Sequence, residues 1–419
     1  MIRRMLAVFG AVLFLTSNLA AEKVKIGLNY PRTGPYYVQG ADQWDGTEFA
    51  VNDINSSGGI LGQQIEIVSR DSQSKPDVST NNALELIKEG VKMIFGGSAS
   101  SVAIAVGKVC QAHGVPFFGT LTYSTETTGE EGHRHTFRVC YDSWAAAKVL
   151  SKYLNKNFAG KKYFYVSADY TWGRTTEAAF RELTKTTDAN VHKRVLTKFP
   201  GAAEADFKAA ITAAREANPD VLVLVEFGND MVVAVREAFA QGLKGKTQIV
   251  VPNLPSDMAR AAGPKAMEGV LGTIDWFWQL PGTKNYPEGR AFVEKFDTKT
   301  GRHPGASAAY VWTILHQYKA AVERANSFDS SKVIKALEGY KFTSLAGEEY
   351  WRAFDHQAIK TVYAVRCKPE EEVVKDKFKA DFFQIIDELP GDQAFKTRAE
   401  WNKARTAAGK PEKLEDLPD

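Results

Sequence analysis

Residues 24–71 constrain the fold more than any other stretch of the chain. From Val24 the sequence reads VKIGLNYPRTGPYYVQG, and from Asp45 it reads DGTEFAVNDINSSGGILGQQIEIVSRD. This is a strand, a Gly/Pro loop, an amphipathic helix, a double-glycine stop and a second strand ending on an acid. Ala41, Trp44, Val51 and Ile54 recur near one face of the helix, with Asp42, Asp45, Glu48 and Asn52 elsewhere. Gly58-Gly59 ends it, because glycine readily takes the left-handed conformation found at helix stops. Ile65 and Ile67 then alternate around Glu66 in the second strand. The loop 30–40 falls at the carboxyl end of the first strand, where open α/β sheets bind ligands.

The same alternation continues. A helix is expected around 79–89, a strand at 91–95, a helix at 100–112 and a strand at 115–119. A second series starts after Cys140, with helices at 143–154, 173–186, 204–217 and 230–241. Its strands are expected at 162–167, 191–198, 220–226 and 247–251. Short strands joined by helical crossovers imply parallel sheets covered on both faces. Residues 269–278 read as a crossing back to the first half. Helical stretches near 286–300, 306–324 and 330–337 and a strand at 359–367 follow. Beyond Leu389 the charged tail places Phe395 and Trp401 near a helical spacing, which predicts a short docked helix with a frayed end.

Composition narrows the setting. The chain opens on MIRRM, then LAVFGAVLFL, then TSNLAA. A basic start, a short apolar run and a small-residue end predict a secretory signal peptide over residues 1–21, cut after Ala20 or Ala21. A signal anchor is the alternative, but a bilayer span takes about 20 apolar residues. No Cys lies near the cut, which argues against a lipoprotein anchor, and no later segment is long and apolar enough to span. Without the leader 398 residues remain (419 minus 21), enough for two domains. The formal charge of +3 falls to +1 when Arg3 and Arg4 leave, and no basic block marks a nucleic-acid surface. The three cysteines, Cys110, Cys140 and Cys367, show no metal spacing. One bridge and none both stay open, with burial as small apolar residues the default expectation.

Together these residues resemble the type I periplasmic substrate-binding proteins of ABC importers, the branched-chain amino acid-binding family. The resemblance spans nearly the whole mature chain and is strongest over 24–125. It rests on Gly34-Pro35, on the helix from Asp45-Gly46 through Asn55, on the turn from Gly58 to Gly62, and on Asp71-Ser72-Gln73. It implies two doubly wound parallel-sheet lobes joined by a three-crossing hinge and closing on ligand like a clam. Crossings near 138–143, 270–278 and 343–350 fit that expectation. The lobes are then residues 22–142 plus 276–345 and residues 143–275 plus 346–388, with a tail at 389–419. The resemblance further implies a periplasmic monomer that binds a small molecule and delivers it to membrane permeases driven by cytoplasmic ATPases. It implies no cofactor, no nucleic acid and no membrane span.

Candidate ligand residues sit at strand ends. Ser100 and Ser101 follow the strand at 91–95 and open a helix, whose free N–H groups and dipole suit a carboxylate; plain N-capping by a serine is the alternative. By the resemblance, Ser100 takes the ligand-serine position. Leu121 (through its backbone), Thr122 and Tyr123 occupy the next loop, with Tyr123 where the family carries a small hydroxyl residue. In the second half, Trp172 stands in the position of a ligand-covering tyrosine, and Phe227 and Asn229 lie on the turn EFGND. Asn253 falls roughly where amino-acid binders carry an acid that pairs with the ligand ammonium. Asparagine cannot neutralise that charge, unless Glu226, Asp230 or Asp257 substitutes. Tyr36 and Gln39 lie on the opening loop beside Tyr37. Together with Trp276 the aromatic residues suggest an apolar or aromatic ligand body with one polar end.

Other chemistry is poorly supported. His133 and His135 in EEGHRH would share one strand face, but two histidines are too few for structural zinc, so no metal is expected. No GxSxG, HExxH or Walker loop is present, and GGILG precedes a strand instead of a helix. An enzyme is not expected. A ligand-sensing subunit feeding a signalling partner is the remaining alternative, since the same lobes serve receptors.

Overall fold

The computed structural model describes residues 23–417, so the expected leader and its cleavage point lie outside the described residues. The strand–helix alternation builds two open sheets. The first holds β1 (Lys23–Tyr30), β2 (Gln64–Asp71), β3 (Ile94–Gly96), β4 (Phe117–Gly119) and β5 (Thr136–Arg138). Its order is β2-β1-β3-β4-β5, all parallel. The second contains β6 (Tyr163–Ala168), β7 (Arg194–Thr197), β8 (Val221–Val225), β9 (Gln248–Val251) and β10 (Leu271–Ile274). Their order, β7-β6-β8-β9-β10, repeats that of the first sheet. A small sheet of β11 (Lys341–Ser344), β12 (Gly347–Trp351) and β13 (Ala358–Ile359) follows. Then β14 (Val362–Cys367) and β15 (Phe383–Leu389) extend the second sheet as antiparallel strands. Strand order reverses between β1 and β3 and again between β6 and β8, the positions where such sheets open a ligand crevice. The central strands β6 and β8 are buried throughout, which explains the unbroken apolar run of β8 and that of β6, interrupted only by Ser167.

The helix Tyr37–Ser56 corrects the expected amphipathic face. Ala41 is exposed, whereas Gln39, Gly40, Asp42, Gln43, Gly46, Thr47, Ala50 and Ile54 are buried. The reason is a second helix, Ala306–Ala325, packed close against it. A Cβ on Gly46 would stand 2.6 Å from Ala308 Cα, so only glycine permits this approach. Asp42 accepts hydrogen bonds from the N–H groups of Gly305 (3.1 Å) and Ala308 (2.9 Å), at the amino end of that helix, and pairs with Arg302 at 2.8 Å. A charged residue is buried here because its partners lie some 260 positions away. Asp71 acts within the first strand–helix–strand unit instead. Its carboxylate accepts from the N–H groups of Arg32, Thr33 and Gln73 and from the Thr33 hydroxyl, which pins the opening loop.

The chain passes between the lobes after β5, after β10 and before β14. At the first passage Arg138 is fully buried and hydrogen-bonded to Gln357, Thr122, Ser124, Thr128 and Asp142. At the second, Asp275 accepts from Tyr310 and faces Lys360, which pairs with Glu349 at 3.0 Å. Residues 343–350, expected as the third crossing, instead form the β11–β12 hairpin. Trp351 at its end packs edge-on against Phe118 and Phe137 of the first sheet, with ring centroids 5.9 and 5.5 Å apart. Seating that large side chain holds the hairpin on the first lobe, and the chain joins the second sheet only at Val362. The expected strand 359–367 is divided for the same reason. The helix Arg398–Ala407 docks through Trp401, whose indole donates to Thr128 O at 2.8 Å. Cys110, Cys140 and Cys367 are buried and unbridged. Among the described residues no helix is long and apolar enough to cross a membrane.

Candidate ligand-binding cleft

The carboxyl ends of β1, β3 and β4 face those of β6, β8 and β9, and the lobes are closed on each other. The N–H of Asn229 donates to Pro35 O at 3.1 Å. The hydroxyls of Tyr36 and Tyr170 lie 2.9 Å apart. Gln39 Nε2 donates to Asp257 Oδ2 at 2.5 Å, and the Thr175 hydroxyl donates to Ser124 at 3.1 Å. Each of these bonds joins one lobe to the other.

Aromatic rings from both lobes gather around Phe227. Tyr36 meets it edge-on at 5.2 Å and stacks on Phe199 at 5.3 Å. Tyr123 lies 5.6 Å from it and Trp172 5.9 Å. The Trp172 indole donates to Asn253 Oδ1 at 3.1 Å. Five of the sequence-predicted residues, Tyr36, Tyr123, Trp172, Phe227 and Asn253, therefore meet in one place, with Gln39 at its edge. Around them polar atoms are buried without hydrogen-bond partners: Gln39 Oε1, Asp257 Oδ1 and Glu226 Oε2, while the Tyr123 hydroxyl and Asn253 Nδ2 have only Tyr310 and Tyr141 beside them, outside good hydrogen-bond geometry. Leaving such a group unmatched costs about 1–3 kcal/mol. Donors and acceptors from both lobes thus wait for a partner in a setting walled by rings.

The remaining predicted residues lie around this cluster with contacts of their own. Ser100 does not cap its helix, whose N-cap is Ala99; its hydroxyl accepts from Ser124 N at 3.0 Å and holds the neighbouring loop. Ser101 is half-buried on the same turn, and Leu121 is buried beside Thr122. The Thr122 hydroxyl is bonded to Thr127 at 2.6 Å, inside the first lobe. Asn229 has an exposed side chain and contributes only its backbone, so its expected side-chain role is not seen. Gly228, at φ +60°, opens the helix that turns Asn229 outward.

Sequence reasoning missed Gln43, Tyr170 and Phe199. Gln43 donates to Ser98 at 2.6 Å and accepts from Thr120 at 3.0 Å, tying the opening helix to the ends of β3 and β4. Its spacing of four from Gln39 put both on one helix face, which was a usable signal. Phe199 gave none, since only lobe closure brings it to Tyr36. A surface concavity of about 520 Å³ lies elsewhere, between Asn157, Lys244 and Glu268 at the amino ends of β8 and β9. None of its lining residues carries an unmatched buried side-chain group.

Three acids border the cleft without an ion-pair partner. Burial pushes the Glu226 carboxyl well above the usual range and raises Asp230 to about 7. Burial, with Asp42 nearby, raises Asp257 to about 6 despite the Gln39 hydrogen bond. A carboxyl raised in the folded state contributes stability that is full below about pH 4 and is lost as pH rises through the folded value. Asp230→Asn is therefore expected to gain on the wild type between pH 4.5 and 8, by on the order of 2 kcal/mol. Urea midpoints across that range would show it, and a gap that narrows with rising pH would contradict the assignment.

The comparisons agree with this geometry. A periplasmic binding protein family model matches residues 23–372. A Leu/Ile/Val-binding protein homolog of Brucella melitensis is 28% identical over 75% of this chain and 82% of its own. An amino acid binding protein of Pseudomonas aeruginosa is 26% identical over 81% and 89%. The crystal structure of a periplasmic binding protein from Burkholderia mallei superposes with a TM-score of 0.81 at 26% identity, covering 90% of this chain and 98% of that one. With these two lobes and this cleft, the chain belongs to the periplasmic binding protein family, type I and branched-chain amino acid-binding-like, as the non-catalytic extracytoplasmic component that delivers a small ligand to the permease of an ABC importer.

Proposed function

We propose that the cleft captures a small ligand with an aliphatic or aromatic body and one polar end, of the amino-acid-like, amide or carboxylate class. The protein acts as a monomer exported with its leader cut near Ala20 or Ala21. Tyr36, Tyr123, Trp172 and Phe227 would flank the body. Gln39, Asn253 and the Tyr123 hydroxyl would meet the polar end, with Ser100 supporting the loop that carries Tyr123. The observation that carries this reading is the set of unmatched buried polar atoms drawn from both lobes among those rings. The relatives' names support the amino-acid-like class. Asn253 widens it, because its amide can neither neutralise an ammonium nor repel a carboxylate. A ligand amine would have to be met by Glu226, Asp230 or Asp257.

Mass spectrometry of small molecules released from denatured purified protein tests the proposal directly. Calorimetry against aliphatic and aromatic carboxylates, their amides and the standard amino acids then ranks the classes. Asn253→Asp is expected to weaken a carboxylate ligand at least 10-fold and to strengthen a zwitterionic one. Tight leucine binding with no response to any aromatic acid or amide would overturn the wider class.

A further inference from the structure

At the opposite end of the first sheet from the cleft, the C-terminal segment brings a carboxylate to the two histidines of EEGHRH. His133 and His135 precede β5, and His135 O accepts from Phe117 N at the amino end of β4. Both side chains are more than nine-tenths buried, and both leave Nδ1 without a hydrogen-bond partner. Glu415 arrives from nearly 300 positions away and is fixed by Gln111 Nε2 at 2.8 Å and by the N–H of Arg134 at 2.9 Å. Its Oε1 lies 3.8 Å from His135 Nδ1, too far for a hydrogen bond but close for two ligands of one ion.

We propose that His133, His135 and Glu415 form a binding site for a transition-metal cation of the zinc type, which fastens the C-terminal segment to the first lobe. One ligand atom from each residue lies within 4.8 Å of the others. Tetrahedral zinc separates its ligand atoms by roughly 3.3 Å, so side-chain movements of about 1.5 Å complete the geometry. Two imidazoles and a carboxylate suit zinc, cobalt, nickel or copper better than calcium or magnesium. His133 Nε2 lies 3.0 Å from the Thr136 hydroxyl; with that nitrogen donating, Nδ1 presents its lone pair. Glu130, whose Oε2 is also buried and unmatched, lines the adjoining cavity of about 330 Å³ and offers a further oxygen. The cations lining that cavity are largely engaged. Lys108 pairs with Glu131 at 2.7 Å, and Arg405 donates to the carbonyls of Pro411, Gly129 and Gly132. The histidine pair alone lacked a third ligand, and the tertiary fold supplies it.

The test uses the full mature chain, freed of any affinity tag and stripped with chelator. Zinc is titrated by calorimetry and by equilibrium dialysis. One zinc per chain with micromolar or tighter affinity is expected, together with a raised thermal midpoint and slower amide exchange over 409–417. His135→Ala and Glu415→Gln should each weaken binding at least 10-fold, while Asp416→Asn and His113→Ala should not. Glu415→Gln lies on the docked segment, so it reads the site even if a histidine variant folds poorly. No saturable zinc binding, or binding unchanged in both His135→Ala and Glu415→Gln, overturns the proposal.

Discussion

Arg138→Ala is expected to destabilise the first lobe by about 3–5 kcal/mol, the cost of breaking a buried ion pair from one side. Arg138 is 1% exposed and donates through all three guanidinium nitrogens. Its partners are Gln357 at 2.5 Å, Thr128 at 2.8 Å, Asp142 at 3.1 Å, and the carbonyls of Thr122 and Ser124. Truncation strands a carboxylate and two carbonyls out of reach of water. Because those carbonyls belong to the loop that carries Tyr123, ligand affinity should fall as well. Arg138→Lys should recover less than half of the loss, since an ammonium cannot span a planar fork of acceptors. Thr128→Val removes a single partner and should cost about 1 kcal/mol. Urea unfolding followed by far-UV dichroism reads all three. A cost for Arg138→Ala no larger than that of Thr128→Val would mean that the network is not cooperative.

Gly228→Ala should act on closure more strongly than on folding. A Cβ there would stand 2.5 Å from Tyr36 Cδ1 and 2.7 Å from Pro35 O, both on the opposite lobe. The left-handed backbone at φ +60° adds a penalty of about 1–2 kcal/mol, but equally in open and closed forms. The collision exists only when the lobes meet, and Pro35 belongs to a loop that Asp71 pins, so it yields little. Ligand affinity is expected to fall at least 30-fold, with a larger radius of gyration by small-angle scattering in the presence of ligand. Unaltered affinity would show that the closed arrangement opens elsewhere than at Tyr36.

The strand and helix alternation was legible because local periodicity reports which face of an element meets its own sheet. β6 and β8 fell where apolar runs placed them, and the loops after β1, β3 and β4 came to the cleft because parallel winding puts them there. Tyr36, Tyr123, Trp172, Phe227 and Asn253 were readable as cleft residues from their place at strand ends. Thr122 and Asn229 occupied equivalent positions, yet one hydroxyl turned to Thr127 and one side chain turned to solvent. Position along a loop does not specify side-chain direction, which local hydrogen bonds and a single glycine settled.

The sequence by itself determined the two-lobed α/β plan, the ends of the sheets that would face one another, and the aromatic character of the residues there. Tertiary structure alone decided which polar groups are buried. Asp42 lies inside because Arg302 and a helix end come to it, Trp351 draws the β11–β12 hairpin onto the first lobe, and Glu415 joins His133 and His135. In each case the partner is distant in the chain. Periodicity records that a residue faces something, but the free energy of burying a charge or an indole depends on what that something is.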